Sequence, residues 1–465
     1  MLEAATDQLL SGLGNGLARA AGRPRRTLVS VTVPAGEVDP CAIAFASRLA
    51  SDRWFCWEQP DRGFALGALG AAAEVASRGE DRFRDAAREC FGIAREAVVE
   101  EPIGLPAGTG PVWTGGFAFD SEGGSSATWS SLPPALLVLP ELSLCRRDES
   151  AFLTVNAILG PGEDPAERLA GLEARIAGLR DEPLPLLDPH PTARTEIRSV
   201  RTPGEFETTV ADATGRIDAG EMSKVVVARE VVVTAPAAHD PAAAFAAMRR
   251  QFSSCFCFCV GTPEAAFIGA SPELLVRRSG AGVSTVALAG SIRRSSDPAV
   301  DDHLGEQLLR SDKNRREQRI VSERIVRLLR PHSVWVEAAA EPEVVKVANI
   351  QHLATPVIAQ LAEPRSAVEL AGRLHPTPAV GAEPAIAVGA IAGLEQMDRG
   401  WYAGPVGWMD ATEDGEFCVA LRSGLLRDRE AHLYAGVGVV AGSDPAAELD
   451  ETEIKLGALL PLLAE

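Results

Sequence analysis

The chain has 465 residues, 45 basic and 64 acidic, giving a formal net charge of -19, and 46% of its residues are hydrophobic. This composition excludes a disordered chain and is that of a large soluble globular protein. The acidic excess disfavours nucleic acid and anionic membranes as partners, so an anionic substrate would need a local basic pocket or a metal.

No apolar run reaches the 18 residues of a membrane-spanning helix. The N-terminal MLEAATDQLLSGLGNGLARAAGRPRR lacks the order of a signal peptide, so a cytoplasmic location is expected. Residues 1 to about 20 read as a short helix or frayed end, and TLVSVTVPAG as a strand. FCWEQPDRGFALGALGAAAEV predicts two strands around a Pro60-Asp61 turn. DRFRDAARECFGIAREAVVE has helical period, with Phe83, Ala87, Phe91 and Ala94 expected inside. VWTGGFAFD, ALLVLPELSLCRRD and AFLTVNAIL predict strands, and Asp164 caps a helix in DPAERLAGLEARIAGLR. The Pro- and charge-rich stretch 181–200 is the expected boundary, separating an N-terminal α+β half (1–195) from a catalytic portion (200–460).

Beyond it, Thr202 and Glu205 fit a capping box, KVVVAREVVVTAP is a long strand, and DPAAAFAAMRRQF is a helix. SCFCFCV alternates, placing Cys255, Cys257 and Cys259 on one strand face and Phe256 and Phe258 on the other. The eight cysteines are read as free and buried, in a reducing compartment. AAFIGASPELLVRRS and GVSTVALAGSI read as strands, and 302–331 as a helical region broken near Ser311. SVWVEAAAEPEVVKVAN and QHLATPVIAQL read as one strand each, GWYAGPVGWMDATEDGEFCVALRSGLL as a hairpin with AHLYAGVGVVAGS beside it, and ETEIKLGALLPLLAE as a final helix. Hairpins dominate and βαβ repetition is weak. The expected fold class is α+β, with large antiparallel sheets and helices packed outside them.

Several residues carry candidate chemistry. Lys224 opens a hydrophobic strand. It would lie at a sheet edge or, turned into a pocket, act as a base. Glu273, in GASPELLV, is either a turn carboxylate or an acid against an apolar wall. Glu317 shares a helix side with Lys313 and Asn314. Glu448, Glu451 and Lys455 share another, which suits either a surface ion pair or oxygen ligands for Mg²⁺. Arg422 sits among apolar neighbours in VALRSGLL and needs an anionic partner, which a substrate carboxylate would supply. His352, His375, Thr377 and Tyr402 interrupt runs of Gly, Pro and apolar residues.

KVVVAR, FIGASPELL, LAGS, HLATP, LHPTPAVG, DRGWYAGPVGW, VALRS and AGVGVVAGSDP followed by ELDETEIK occur in an order that resembles the chorismate-utilising enzymes, and within them the isochorismate synthases. The resemblance spans roughly residues 200–460, with a looser likeness in the N-terminal half. It implies that Lys224 is the general base activating water and Glu273 the general acid at the departing hydroxyl. It implies Mg²⁺ held by Glu317 and Glu451, with Glu448 close by. Arg422, Tyr402 and Lys455 would bind substrate carboxylates. Gly290, Ser291 and Gly438 would supply backbone and hydroxyl contacts, and His352 would line the pocket. The implied substrate is chorismate, handled by a monomer with no glutaminase subunit. Gln318, Ala382, Ser291 and Val437 depart from common family patterns, and none removes a proposed catalytic group.

Salicylate synthases, which go on to eliminate pyruvate, share the lysine, the glutamate and the metal ligands, although HPTPAVG looks more like the isochorismate-only enzymes. Anthranilate and aminodeoxychorismate synthases lack a base lysine where Lys224 stands. A non-catalytic chorismate-binding relative is the reading of another class. The joint presence of Lys224, Glu273, Glu317 and Glu451 weighs against it.

Overall fold

The computed structural model describes residues 2–187, 195–347 and 350–464. Among these residues the strands build two large sheets, one of thirteen strands and one of ten. Their pairings are antiparallel, apart from the parallel contact of Thr27–Gly36 with Val98–Glu100. Both sheets draw strands from before and after residue 195. The α+β class with outer helices is as expected.

Helix starts follow a local rule. Asp39, Asp164, Thr202, Asp240, Asp297 and Asp444 each precede a proline, and each side chain accepts from a backbone N–H of the first turn. The acceptor satisfies an orphan donor while proline presets φ at a position whose N–H has no partner. Thr202 and Glu205 form the expected capping box. The break near Ser311 is real: helices Pro298–Arg310 and Asp312–Leu329 meet there, and the Ser311 side chain caps the second.

The SCFCFCV alternation also holds. Strand Phe256–Gly261 turns Phe256 and Phe258 into a core fed by both sheets, with Trp113, Phe117, Trp401 and Phe417. Its other face turns Cys257 and Cys259 toward a second core, where Leu13, Leu17, Phe245 and Met248 come from helices. Every cysteine is free and buried. Burying each large apolar side chain contributes roughly 1.5–3 kcal/mol, so two continuous cores of this kind dominate the stability. No helix among the described residues is long and apolar enough to cross a membrane.

Some expectations need correction. Phe91 is 48% exposed, and the inner side of helix Arg82–Ala94 is Phe83, Ala86, Ala87 and Cys90. Those four follow the i, i+3, i+4, i+7 stripe, and Phe91 falls off it. Residues 196–199 of the expected boundary form a strand against Val231–Thr234, while 188–194 lie outside the described residues. SVWVEAAAEPEVVKVAN is two strands, Ser333–Ala338 and Glu343–Lys346, both on Ile350–Leu361. The final helix is two, Pro445–Leu456 and Leu460–Ala464.

The most consequential difference concerns runs read as continuous. Phe64–Leu69 and Ala266–Ser271 lie in the larger sheet, but Ala73–Ser77 and Leu274–Ser279, which follow them directly, lie in the smaller one. The hairpin Pro405–Asp410/Gly415–Val419 belongs to the smaller sheet and Ser423–Arg427/Glu430–Val440 to the larger. An apolar strand leaving one sheet and entering its neighbour keeps the same alternation, so the step is invisible to periodicity.

Candidate active site

Two of these sheet-to-sheet steps lie side by side, and each carries a candidate residue. Glu273 stands where Ala266–Ser271 passes into Leu274–Ser279, and Arg422 where Gly415–Val419 passes into Ser423–Arg427. Val419 N donates to the Glu273 carbonyl at 3.0 Å, and Ala270 N donates to the Arg422 carbonyl at 3.1 Å. Ser271 Oγ donates to Val419 O at 2.5 Å and accepts from Glu273 N at 3.2 Å. Arg422 has φ 47°, a left-handed conformation uncommon for a residue with a side chain and concentrated at functional sites. The crossing turns both side chains into the space between the sheets, where both are buried.

Burial pushes the Glu273 carboxyl up to about 8, against the opposing pull of Lys224, Arg422 and Lys455. It is therefore mostly protonated at neutral pH, the form a general acid requires. Lys224 begins strand Lys224–Thr234 and is fully buried. Its Nζ forms an ion pair with Glu317 Oε1 at 2.9 Å. Gly438 makes that approach possible. A Cβ there would stand 2.2 Å from Glu317 Oε1 and 3.0 Å from Lys224 Cε.

The remaining residues converge from three directions. Gly290 has φ 74° and forms a bulge opposite strand Ile350–Leu361, where a Cβ would press on Asn314 at 3.0 Å. Past the bulge, Ser291 pairs with His352 and its Oγ donates to Glu451 Oε1 at 3.0 Å. Arg422 Nη2 lies 3.1 Å from His352 Nε2, and His352 Nδ1 lies 3.2 Å from Gly290 O. Because a guanidinium only donates, Nε2 is the acceptor and Nδ1 carries the proton. Burial, then Arg422 and Lys455, push His352 down to about 3, so it is neutral. Tyr402 is buried with its hydroxyl 3.0 Å from where a Gly436 Cβ would be, and its ring is stacked on Tyr434 at 5.2 Å. A cavity lined by Val226, Tyr402, Arg422, Gly436 and Lys455 lies beside these groups.

The three carboxylates expected to hold a metal are each paired with a lysine: Glu317 with Lys224, Glu451 with Lys455 at 2.7 Å, and Glu448 with Lys313 at 2.6 Å. Lys455 also donates to Gly436 O at 2.8 Å. Glu448, only 2% exposed, is raised by burial and by Glu451 one turn away, in spite of Lys313. Burial would raise Glu451 too, but Lys455 and the Ser291 hydroxyl hold it below its ordinary value. A buried carboxylate, Glu448, and a half-buried one, Glu451, one turn apart, with a third facing them from helix Asp312–Leu329, are a hard, anionic oxygen set. Its chemistry fits a divalent cation such as Mg²⁺. The three do not converge on one point here. Among the described residues, the trio whose ligand atoms lie within 4.8 Å of one another is Asp39, Cys41 and Glu58, far from this chemistry. There Arg249 already bonds Asp39 at 2.7 Å and Glu58 at 3.1 Å.

The site residues that the resemblance implies thus lie in one region, whereas His375 lies apart from them, its Nε2 2.7 Å from Phe119 O. Lys313 was noted on its helix but not as the partner of Glu448. The buried pair Glu395–Arg399 was not among the expected site residues, although Arg399 lies in the DRGWYAGPVGW motif. Glu453, in the acidic run of the last long helix, pairs with Arg229 away from the site.

Residues 15–464 match the model of the chorismate binding enzyme family. The chain is 35% identical to the salicylate biosynthesis isochorismate synthase of Pseudomonas aeruginosa over 97% of this chain and 92% of that protein. It is 33% identical to the isochorismate synthase MenF of Bacillus subtilis over 94% of this chain and 93% of that protein. The structure resembles that of MenF, the menaquinone-specific isochorismate synthase from Escherichia coli, with a TM-score of 0.79 and 27% identity over 97% of this chain and 99% of that one. With its motifs, its crossed sheets and these matches agreeing, the chain belongs to the chorismate-utilising enzymes and is isochorismate synthase-like.

Proposed function

We propose that the protein is an Mg²⁺-dependent isochorismate synthase. In this reading water adds at C2 of chorismate, the ring double bonds shift, and the C4 hydroxyl leaves, reversibly. The observation that carries it is the presence in one site of a buried, protonated Glu273 and a buried Lys224 whose amine is held by Glu317 at 2.9 Å. An acid at a sheet-to-sheet step and a base on another strand suit a reaction whose proton steps occur at opposite ends of an allylic system.

Lys224, in its neutral form, takes a proton from the attacking water at C2. Glu273 gives its proton to the C4 oxygen as that bond breaks, and the roles reverse in the backward direction. Arg422 is oriented by His352 and, with Lys455, offers positive charge to the substrate carboxylates despite the acidic exterior. Tyr402 adds a hydroxyl at the same wall. Glu317, Glu448 and Glu451 would hold Mg²⁺, which when bound supplies charge neutralisation and orientation of a substrate carboxylate. The protein is taken to work as a monomer on free chorismate, without a glutaminase subunit.

Purified protein incubated with chorismate and Mg²⁺ is expected to give isochorismate in equilibrium with chorismate by HPLC, and to stop when EDTA is added. Salicylate and pyruvate without an added lyase would instead make it a salicylate synthase. No turnover would favour a non-catalytic binding role.

Gly438 provides a separate check. Gly438→Ala places a methyl against Glu317 and Lys224 and should lower kcat by about 10- to 100-fold, the scale of a misplaced catalytic group. Wild-type kinetics in this variant would remove the Lys224–Glu317 approach from the mechanism.

A further inference from the structure

Strand Lys224–Thr234 pairs along one edge with Glu430–Val440 over its whole length. Its other edge is covered only in part. Ala382–Glu383 pairs with Lys224 and Val225, and Glu196–Ser199 pairs with Val231–Thr234. Among the described residues no strand covers the stretch between. A buried edge cannot leave its amides and carbonyls unpaired, because each costs about 1–3 kcal/mol.

Two side chains complete that edge. Ala228 N donates to Glu395 Oε1 at 2.6 Å, and Val226 O accepts from Arg399 Nη2 at 3.1 Å. Glu395 and Arg399 in turn bind each other through two contacts, Nε to Oε2 at 2.9 Å and Nη2 to Oε1 at 2.5 Å. Both residues are almost completely buried. The pair offers one acceptor and one donor to a strand edge, as a neighbouring peptide would.

The same guanidinium reaches two further walls of the cavity. Nη1 donates to Val380 O at 2.8 Å, in the HPTPAVG segment, while Val226 N donates to the carbonyl of Gly381 next to it at 2.8 Å. Tyr402 N donates to Arg399 O at 2.9 Å, and the guanidinium carbon lies 5.8 Å from the Tyr402 ring centre and 4.1 Å from that of Phe119. Val226, Val380, Arg399 and Tyr402 line one cavity with Arg422 and Lys455. Val226 is two residues from Lys224 and, by strand alternation, on its face.

We propose that the Glu395–Arg399 pair is a positioning device that ties the Lys224 strand, the HPTPAVG segment and Tyr402 into one rigid wall. The proposal rests on the chorismate reading above. A buried ion pair is a costly way to gain stability, since apolar side chains of similar size often do as well or better. A planar fork that fixes a carboxylate and two carbonyls at once does what they cannot. Loss of that wall would displace the Lys224 amine, and a misplacement of about 1 Å costs on the order of 10²-fold in rate.

The test uses the full chain with two variants, Arg399→Lys and the charge-neutral double variant Glu395→Gln/Arg399→Met. Lysine keeps the charge but not the fork. The double variant removes the buried charges while keeping an acceptor for Ala228 N. Thermal unfolding gives the folded fraction, and initial rates of chorismate conversion give kcat and KM per folded molecule. Positioning predicts that kcat falls by about 10- to 100-fold in both variants. KM should change little, and the double variant, which strands the Val226 and Val380 carbonyls, should unfold at a lower midpoint than the wild type but remain folded at the assay temperature. Wild-type kcat per folded molecule in either variant overturns the proposal, and so does failure of both to fold, which would make the pair purely structural. The wild type is run alongside. If it forms a product other than isochorismate, the functional reading fails, while the variant-to-wild-type ratio of chorismate consumption still decides the positioning role.

Discussion

Replacing Lys224 with alanine is expected to cut chorismate turnover by about 10²- to 10⁴-fold, the usual contribution of a general base. KM should stay near wild type, because Arg422 and Lys455 supply the charge that meets the substrate carboxylates. The change also strands Glu317, whose cation partner lay 2.9 Å away. Breaking a buried pair costs about 3–5 kcal/mol, and less here because the Glu317 side chain keeps 12% of its exposure and can reach water. Lys224→Met separates the two effects. It keeps the apolar stem in the strand, removes the amine, and should lose the same activity with a smaller fall in thermal midpoint. Progress curves by HPLC and thermal unfolding on both variants check this. A folded Lys224→Ala protein with wild-type kinetics would move the base elsewhere.

Much of this site can be read from the chain alone. The i, i+3, i+7 spacing of Glu448, Glu451 and Lys455 needs only a helix to share a face, and the Glu451–Lys455 pair forms as spaced. Capping signals at Asp164 and Thr202 fix helix starts locally, so they survive into the fold. What pattern could not give is which elements meet. Glu273 and Arg422 owe their burial to the sheet-to-sheet steps, and an apolar run carries no mark of where it changes sheets. The lysine partners of Glu317 and Glu448 follow the same logic. Lys313 and Glu448 are 135 positions apart in sequence and 2.6 Å apart in space. Glu395 and Arg399 are an ordinary i, i+4 pair by spacing. Only the gap in the strand edge beside them gives the pair its role.

Replacing Glu273 with glutamine is expected to lower kcat by about 10²- to 10⁴-fold and, in the same molecule, to raise stability at neutral and alkaline pH. The activity loss follows from the missing proton donor. In the wild type, kcat/KM should fall as pH rises through about 8, where the buried carboxyl ionises, and the residual activity of the variant should lack that limb. The stability gain follows from linkage. Burial raises the folded-state value from 4.5 to about 8, so between those pH values the folded protein holds a proton that the unfolded chain has lost. Stability from this group is fully present below about 4.5 and drains away as pH rises to about 8. By pH 7 the loss is about 3 kcal/mol, and glutamine does not incur it. Thermal midpoints of the two metal-free proteins should nearly coincide near pH 4.5 and separate in favour of the variant toward pH 8. A constant gap across that range, or a less stable variant at pH 8, would mean that Glu273 is ionised in the resting protein and cannot be the acid.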